Sequence, residues 1–170
     1  FASDPAAGPE ARATDKPATF ANVDTAGDDT ALIGFTSGTT GKPKGTMHFH
    51  RDVMAACDCW PRTILRATAD DVFTGSPPLA FTFGLGGLLL FPLRIGAATL
   101  LVDRPAPDTL FFAIAKQRAT VLFTAPTAYR AMAADAAKHD LSSLRKWVSA
   151  GEAPPAGTRK LWKDGTGIEI

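Results

Sequence analysis

Eleven consecutive residues, Phe35-Thr36-Ser37-Gly38-Thr39-Thr40-Gly41-Lys42-Pro43-Lys44-Gly45, carry four hydroxyl side chains, three glycines and two lysines. That mixture suits an anion with many oxygens. Gly38, Gly41 and Gly45 let the backbone bend and bring N–H donors close to a ligand. Thr36, Ser37, Thr39 and Thr40 add hydroxyl donors, and Lys42 and Lys44 add positive charge. Hydrogen bonds assisted by charge are roughly twice as strong as neutral ones. The pattern differs from the Walker loop, because Pro43 follows Gly41-Lys42 where Ser or Thr is needed to hold Mg²⁺, and Gly38 lies too close to Gly41. A plain turn between two elements is the simpler reading of any glycine-rich segment. The density of donors across eleven residues favours phosphate.

Other residues invite chemistry less strongly. His48 and His50 alternate with no third ligand nearby, a poor metal site. His139 lies near the end of an expected helix, where a cation meets the negative dipole terminus. Cys57 and Cys59 stand two apart in an expected helix and point in different directions, so they read as reduced thiols of a cytoplasmic protein.

The elements that must position the loop follow from apolar runs and breakers. Residues 1–28 are rich in Ala, Pro, Asp, Thr and Gly without a sustained period and read as a linker or surface arm. Ala31 to Phe35 suits a buried strand leading into the loop. His50 to Leu65 reads as a helix capped by Asp52 and interrupted at Pro61. Further strands are expected at 71–75, 97–103, 120–124, 147–149 and 167–170, and helices at 83–95, 108–118 (capped by Asp108), 126–139 and 155–163. Alternation of this kind predicts an α/β fold with a mostly parallel sheet and helices on both faces.

Bulk properties exclude several functions. Eighteen Lys and Arg against seventeen Asp and Glu give a net charge of +1, with no basic run, so no nucleic-acid partner is expected. The most apolar stretch, Phe81 to Leu93, is broken by Gly84, Gly86, Gly87 and Pro92 and falls short of the roughly 20 residues of a spanning helix, so no membrane association is expected. The chain opens on Phe1 and stops within an expected strand, which suggests a fragment.

Together the motifs carry a resemblance. Thr36 to Gly45 resembles the signature of the adenylate-forming superfamily of acyl- and aryl-CoA ligases, luciferases and peptide-synthetase adenylation domains. His50-Arg51, the run from Ser76 to Gly86, Pro126-Thr127, and Ser149-Ala150-Gly151-Glu152-Ala153-Pro154 are similar to later landmarks of that family in the same order. Within it, Phe83-Gly84-Leu85-Gly86 and His48-Phe49-His50 are most like benzoate- and 2-aminobenzoate-CoA ligases. The resemblance covers residues 28–170, here a partial N-terminal AMP-binding domain spanning 29–170 and about a third of a complete ligase.

The resemblance implies ATP, Mg²⁺ and coenzyme A as cofactors, and ATP, an aromatic carboxylic acid and CoA as partners, with a homodimer left open as the assembly. It assigns phosphate contacts to Thr36, Ser37, Gly38, Thr39, Thr40, Gly41, Lys42 and Lys44. Phe81, Phe83, Gly84 and Leu85 would wall an acyl pocket, Gly84 letting a ring approach the backbone, and Gly151, Glu152, Ala153 and Pro154 would meet adenine. From periodicity alone Phe81 and Phe83 read as ordinary core, and residues 151–154 as a strand-to-helix loop. The family's magnesium-binding Glu and catalytic Lys match nothing in this chain, so the chain alone is expected to bind nucleotide weakly and form no thioester. Two further readings stay open: a non-catalytic nucleotide-binding module, and a fragment of a fatty-acyl-CoA ligase.

Overall fold

The computed structural model describes residues 13–14, 16–36 and 41–168; of the strand expected at 167–170, residues 169–170 lie outside the described residues, and Gly167 and Ile168 are not in a strand, Gly167 capping the preceding helix instead. Residues 16–29 are exposed and carry no helix or strand, and their end is tied to residues 50 and 51: the His50 and Arg51 amides donate to the Asp29 and Gly27 carbonyls.

The first ordered unit is an antiparallel hairpin of β1 (Thr30–Thr36) and β2 (Lys44–Phe49), with Thr36 opposite Lys44 at the loop end. β2 is absent from the expected elements, which leave residues 44–49 as loop. The expectation of a buried β1 is also corrected. Leu32 and Gly34 are half-buried, whereas Ile33, Phe35 and Met47 are exposed, because among the described residues only one face of this two-stranded sheet is covered.

Helix α1 (His50–Trp60) comes directly after β2 and continues as a π-helical turn, Pro61–Leu65. Asp52 caps it as expected, but from a different position. Asp52 lies inside the first turn, and its carboxylate accepts the Phe49 amide at 2.9 Å. The chain then builds β3 (Val72–Gly75), α2 (Thr82–Leu85), a π-helical segment (Gly86–Leu90), α3 (Phe91–Ile95) and β4 (Ala98–Leu100). It continues through α4 (Pro107–Gln117), β5 (Val121–Thr124), α5 (Pro126–Ala133), a 3₁₀ turn (Ala136–Lys138), β6 (Lys146–Ser149) and α6 (Ala156–Thr166). At α4 the reciprocal cap comes from Thr109, whose hydroxyl accepts the Ala106 amide at 2.8 Å, and not from Asp108. Thr109 stands three residues past the cap, the spacing from which a side chain reaches back.

Strands β3 to β6 form one parallel sheet in the order β4-β3-β5-β6. Side chains alternate across it, so a strand buried on both faces feeds two cores. Leu122 of β5 packs with Phe111, Tyr129, Trp147 and Trp162 beneath α4, α5 and α6. Val121 and Phe123 pack on the opposite face with Phe73, Leu65 and Leu88, under the segments that come after α1 and α2. Helices therefore cover both faces, as the alternating pattern predicts. The Tyr129 hydroxyl donates to the Val148 carbonyl at 3.0 Å and lies within 3.2 Å of the Leu122 carbonyl, stitching α5 to β5 and β6, and burial pushes its pKa far up.

One polar group is built into the sheet's other end. Asp71 is 3% exposed, and its carboxylate accepts Arg145 Nε at 2.7 Å, the Thr120 hydroxyl at 2.6 Å, the Thr68 amide at 2.8 Å and Arg145 Nη2. Burial pushes the Asp71 carboxyl up, but the Arg145 hydrogen bonds, with those of Thr120 and Thr68, outweigh it and hold it below the usual carboxylate range. A lowered native pKa stabilises the fold above the unfolded value and loses that contribution as pH falls through the native one. Asp71→Asn in the full-length protein is expected to cost about 3 kcal/mol, the lower end for breaking a buried pair because Arg145 is partly exposed. Urea midpoints from pH 7 down to pH 3 check both points: the variant starts lower and falls less steeply than the parent.

Candidate functional site

The hairpin sets the loop by its register. Pairing Thr36 with Lys44 closes the two ends of the connection, and the Thr36 hydroxyl lies 3.5 Å from the Lys44 carbonyl. Ser37, Gly38, Thr39 and Thr40 lie outside the described residues. Gly41 takes φ +78°, a left-handed conformation that favours glycine. Lys42 and Lys44 are exposed and form no ion pair among the described residues, leaving both ammonium groups free for an anion.

The second part of the site is a cavity of about 700 Å³ against the sheet face that carries Phe123. Three layers supply its wall. From α1 come Ala56, Cys59 and Trp60; from the segment after β3 come Thr82, Phe83 and Phe91; from the sheet come Phe123 and Val148. Four rings stand around it: Phe83 lies 5.5 Å from Phe123, Trp60 6.2 Å from Phe123 and Trp60 6.1 Å from Phe91. Rings at these spacings attract one another through their quadrupoles and so hold a rigid apolar box. Arg94 of α3 binds both carboxylate oxygens of Asp58 on α1, each at 2.9 Å, and clamps together the two helices that carry Phe91 and Trp60. The Arg94 hydrogen bonds hold Asp58 below the usual carboxylate range.

The same cavity reaches the end of β6, where Ser149, Ala150 and Gly151 complete its wall. Gly151 turns the chain away with φ +95°. This is the carboxyl end of a parallel strand, the edge at which ligands sit in open α/β sheets.

The structure therefore brings together some of the residues singled out in the sequence and separates others. Phe83 and Gly151 line one cavity. Phe81 is 66% exposed and faces no part of that wall. Gly84 is buried against the loop after β3, where an added Cβ would stand 2.1 Å from the Pro78 carbonyl oxygen; its small size serves that packing. Leu85 lines a neighbouring cavity. Glu152 and Ala153 are exposed and Pro154 is half-buried beyond Gly151. His48 lies within 3.3 Å of the Thr46 hydroxyl, and His139 stacks on Phe111 with ring centroids 4.1 Å apart. Both cysteines are free thiols, Cys57 buried and Cys59 exposed. Among the described residues no cluster of three or more His, Cys, Asp or Glu side chains is arranged to hold a metal ion, and no helix is long and apolar enough to cross a membrane.

Trp60, Phe91 and Phe123 are site residues that the sequence does not single out. Each sits in an apolar or helical run, where an aromatic residue reads as core, and no local signal separates the two roles.

Comparison with known proteins supplies the family. The chain matches the family described as AMP-binding enzyme over residues 2–170. It is 36% identical over 154 residues to a benzoate–CoA ligase of Thauera aromatica, covering 89% of this chain and 29% of the relative. It is 35% identical over 140 residues to an anthranilate–CoA ligase of Pseudomonas aeruginosa, covering 82% of this chain and 27% of the relative. Among solved structures, it is similar to the anthranilate CoA ligase AuaEII in complex with anthranoyl-AMP, with a TM-score of 0.82 and 36% identity over 91% of this chain and 31% of that one. A benzoate CoA ligase from Burkholderia xenovorans LB400 superposes with a TM-score of 0.74 at 32% identity, over 86% of this chain and 29% of that one. The chain thus spans under a third of the length of these relatives. A glycine-rich hairpin loop, a parallel α/β sheet covered on both faces and a match across residues 2–170 lead to one assignment: this chain belongs to the AMP-binding enzyme family.

Proposed function

We propose that the protein carrying this chain activates an aromatic carboxylic acid with Mg-ATP and passes it to coenzyme A. In this reading a carboxylate oxygen attacks the α-phosphorus, giving an acyl-adenylate and pyrophosphate, and the CoA thiol then displaces AMP to form a thioester. The backbone around Gly41, with Lys42 and Lys44, would meet the β- and γ-phosphates, where dispersing charge on departing pyrophosphate is mainly electrostatic work. Magnesium enters on the nucleotide as part of that substrate. The adenine would lie along Gly151 to Pro154. Cytoplasmic placement accords with the two free cysteines.

The observation that carries the reading is the box of Trp60, Phe83, Phe91 and Phe123, which opens on the β6 strand end. Its volume and apolar wall fall within the ordinary range for small-molecule sites. Four rings favour a flat aromatic acid, in keeping with the benzoate and anthranilate relatives.

Pyrophosphate exchange by the full-length protein tests this. Benzoate and 2-aminobenzoate are expected to turn over with kcat/KM at least tenfold above octanoate. Phe83→Ala should raise KM for benzoate about tenfold, the worth of losing part of one buried ring, while KM for ATP stays within twofold. Octanoate turned over as well as benzoate would remove the aromatic assignment.

A further inference from the structure

Beside the aromatic box lies a second cavity of about 190 Å³. The two share Ala56, Thr82 and Phe91 and nothing else of their walls. The partition is thus one methyl, one threonine and one ring. Of the three, the ring is the largest: its edge rests on Gly86, where an added Cβ would lie 3.0 Å from Phe91 Cζ, Trp60 stands beside it, and it packs against the core that holds Leu88 and Phe123. Gly86 and Phe91 are joined through the π-helical segment, whose wider turn sets the glycine beneath the ring.

The wall beyond Phe91 is chemically plain. Val53 of α1, Leu85 and Leu90 form its sides, and the cross-strand pair Leu32 and His48 of the hairpin closes it. The Asp52 carboxylate at its rim is occupied by the Phe49 amide. Burial, with Asp58 nearby, pushes the Cys57 thiol up, so that group remains neutral. The space has room for a phenyl or butyl group, and its lining is mostly apolar.

We infer that Phe91 is a specificity-determining partition, which closes off from the aromatic box an apolar extension able to seat a phenyl-sized substituent directed toward it. This rests on the aryl-acid reading of the larger cavity. It adds that acceptance of a substituent on this side of the acid is set by one ring.

The test is pyrophosphate exchange by the full-length protein with benzoate, biphenyl-3-carboxylate and biphenyl-4-carboxylate. In the parent, benzoate is expected to exceed both biphenyl acids at least tenfold in kcat/KM. Phe91→Ala should raise the ratio of the better biphenyl acid to benzoate at least tenfold, and Phe91→Leu, a milder truncation should the first fail to fold, about threefold. Adding Val53→Phe, which fills only the far cavity, should return the ratio to near the parent value. A truncation that changes all three acids alike, or a gain that Val53→Phe leaves intact, overturns the partition while leaving aryl activation standing. Loss of benzoate turnover in both truncations with an unchanged circular-dichroism spectrum overturns it too, since the ring would then serve turnover itself. A parent that exchanges octanoate but no aromatic acid overturns the aryl reading and the partition together.

Discussion

Gly41→Val in the full-length protein is expected to lower kcat/KM for ATP by about two orders of magnitude, with KM for the acid changed less than threefold. The glycine stands at φ +78°, and an added Cβ would meet nothing within 4 Å among the described residues, so the backbone angle is the cause considered. An L residue in the left-handed region costs about 1–2 kcal/mol, and more when β-branched. If the backbone then turns from the phosphates, one charge-assisted hydrogen bond worth about 1.5–3 kcal/mol is lost. Together these approach two to three decades of rate at roughly 1.4 kcal/mol per decade. Lys44→Ala removes charge without disturbing the backbone and is expected to cost about tenfold. Exchange kinetics at varied ATP measure both, and unchanged kcat/KM for ATP in the pair would place this loop outside the nucleotide site.

The second large effect is on folding. Gly84→Ala would set a Cβ 2.1 Å from the Pro78 carbonyl oxygen and 2.7 Å from that of Pro77, both main-chain atoms. Neither swings aside as a flexible side chain does, so α2 must lift from the loop after β3, and about 3 kcal/mol or more is lost, at or above the upper end for overpacking. Gly157→Ala is the internal control. It lies in α6 with nothing within 4 Å of an added Cβ and should gain roughly 0.5–1 kcal/mol from the better helix former. Urea unfolding of the two variants beside the parent decides it. Equal stability of Gly84→Ala and parent would mean that α2 does not rest on this loop.

These substitutions also mark how far the sequence is legible. Gly84 and Gly41 look alike on paper, each a glycine in a motif. One is needed for a close approach of two backbone segments and the other for its dihedral angle, and the first depends on a contact six residues away around a turn. The strand β5 is visible as an apolar run because both faces of a parallel sheet are buried there and most of the run must be apolar. β2 is invisible by the same logic. Lys44 to Phe49 is largely exposed and has no apolar run to betray it. Residue types place the helix beginnings within a residue or two and pick out Asp52 as a capping group, yet at α4 they favour Asp108 over Thr109. Asp52 and Thr109 both reach back to the cap from within the first turn, and at α4 a reading of residue type alone favours the polar residue that stands first.

The sequence by itself determined the donor-rich composition of residues 36–45, the alternation of strands and helices, and the presence of a strand end at Ser149-Ala150-Gly151. All three depend on local composition and spacing, which a chain displays whether folded or not. Only the tertiary structure decided which aromatic residues frame a cavity and which fill the core. Leu122 and Phe123 are neighbours in one apolar run, yet the first is packed under α4, α5 and α6 while the second, buried in the opposite core, also walls a cavity bounded by Trp60, Phe83 and Phe91. Whether a face of the sheet is filled or left hollow is set by how closely helices distant in sequence approach it, and no property of the strand residue records that distance.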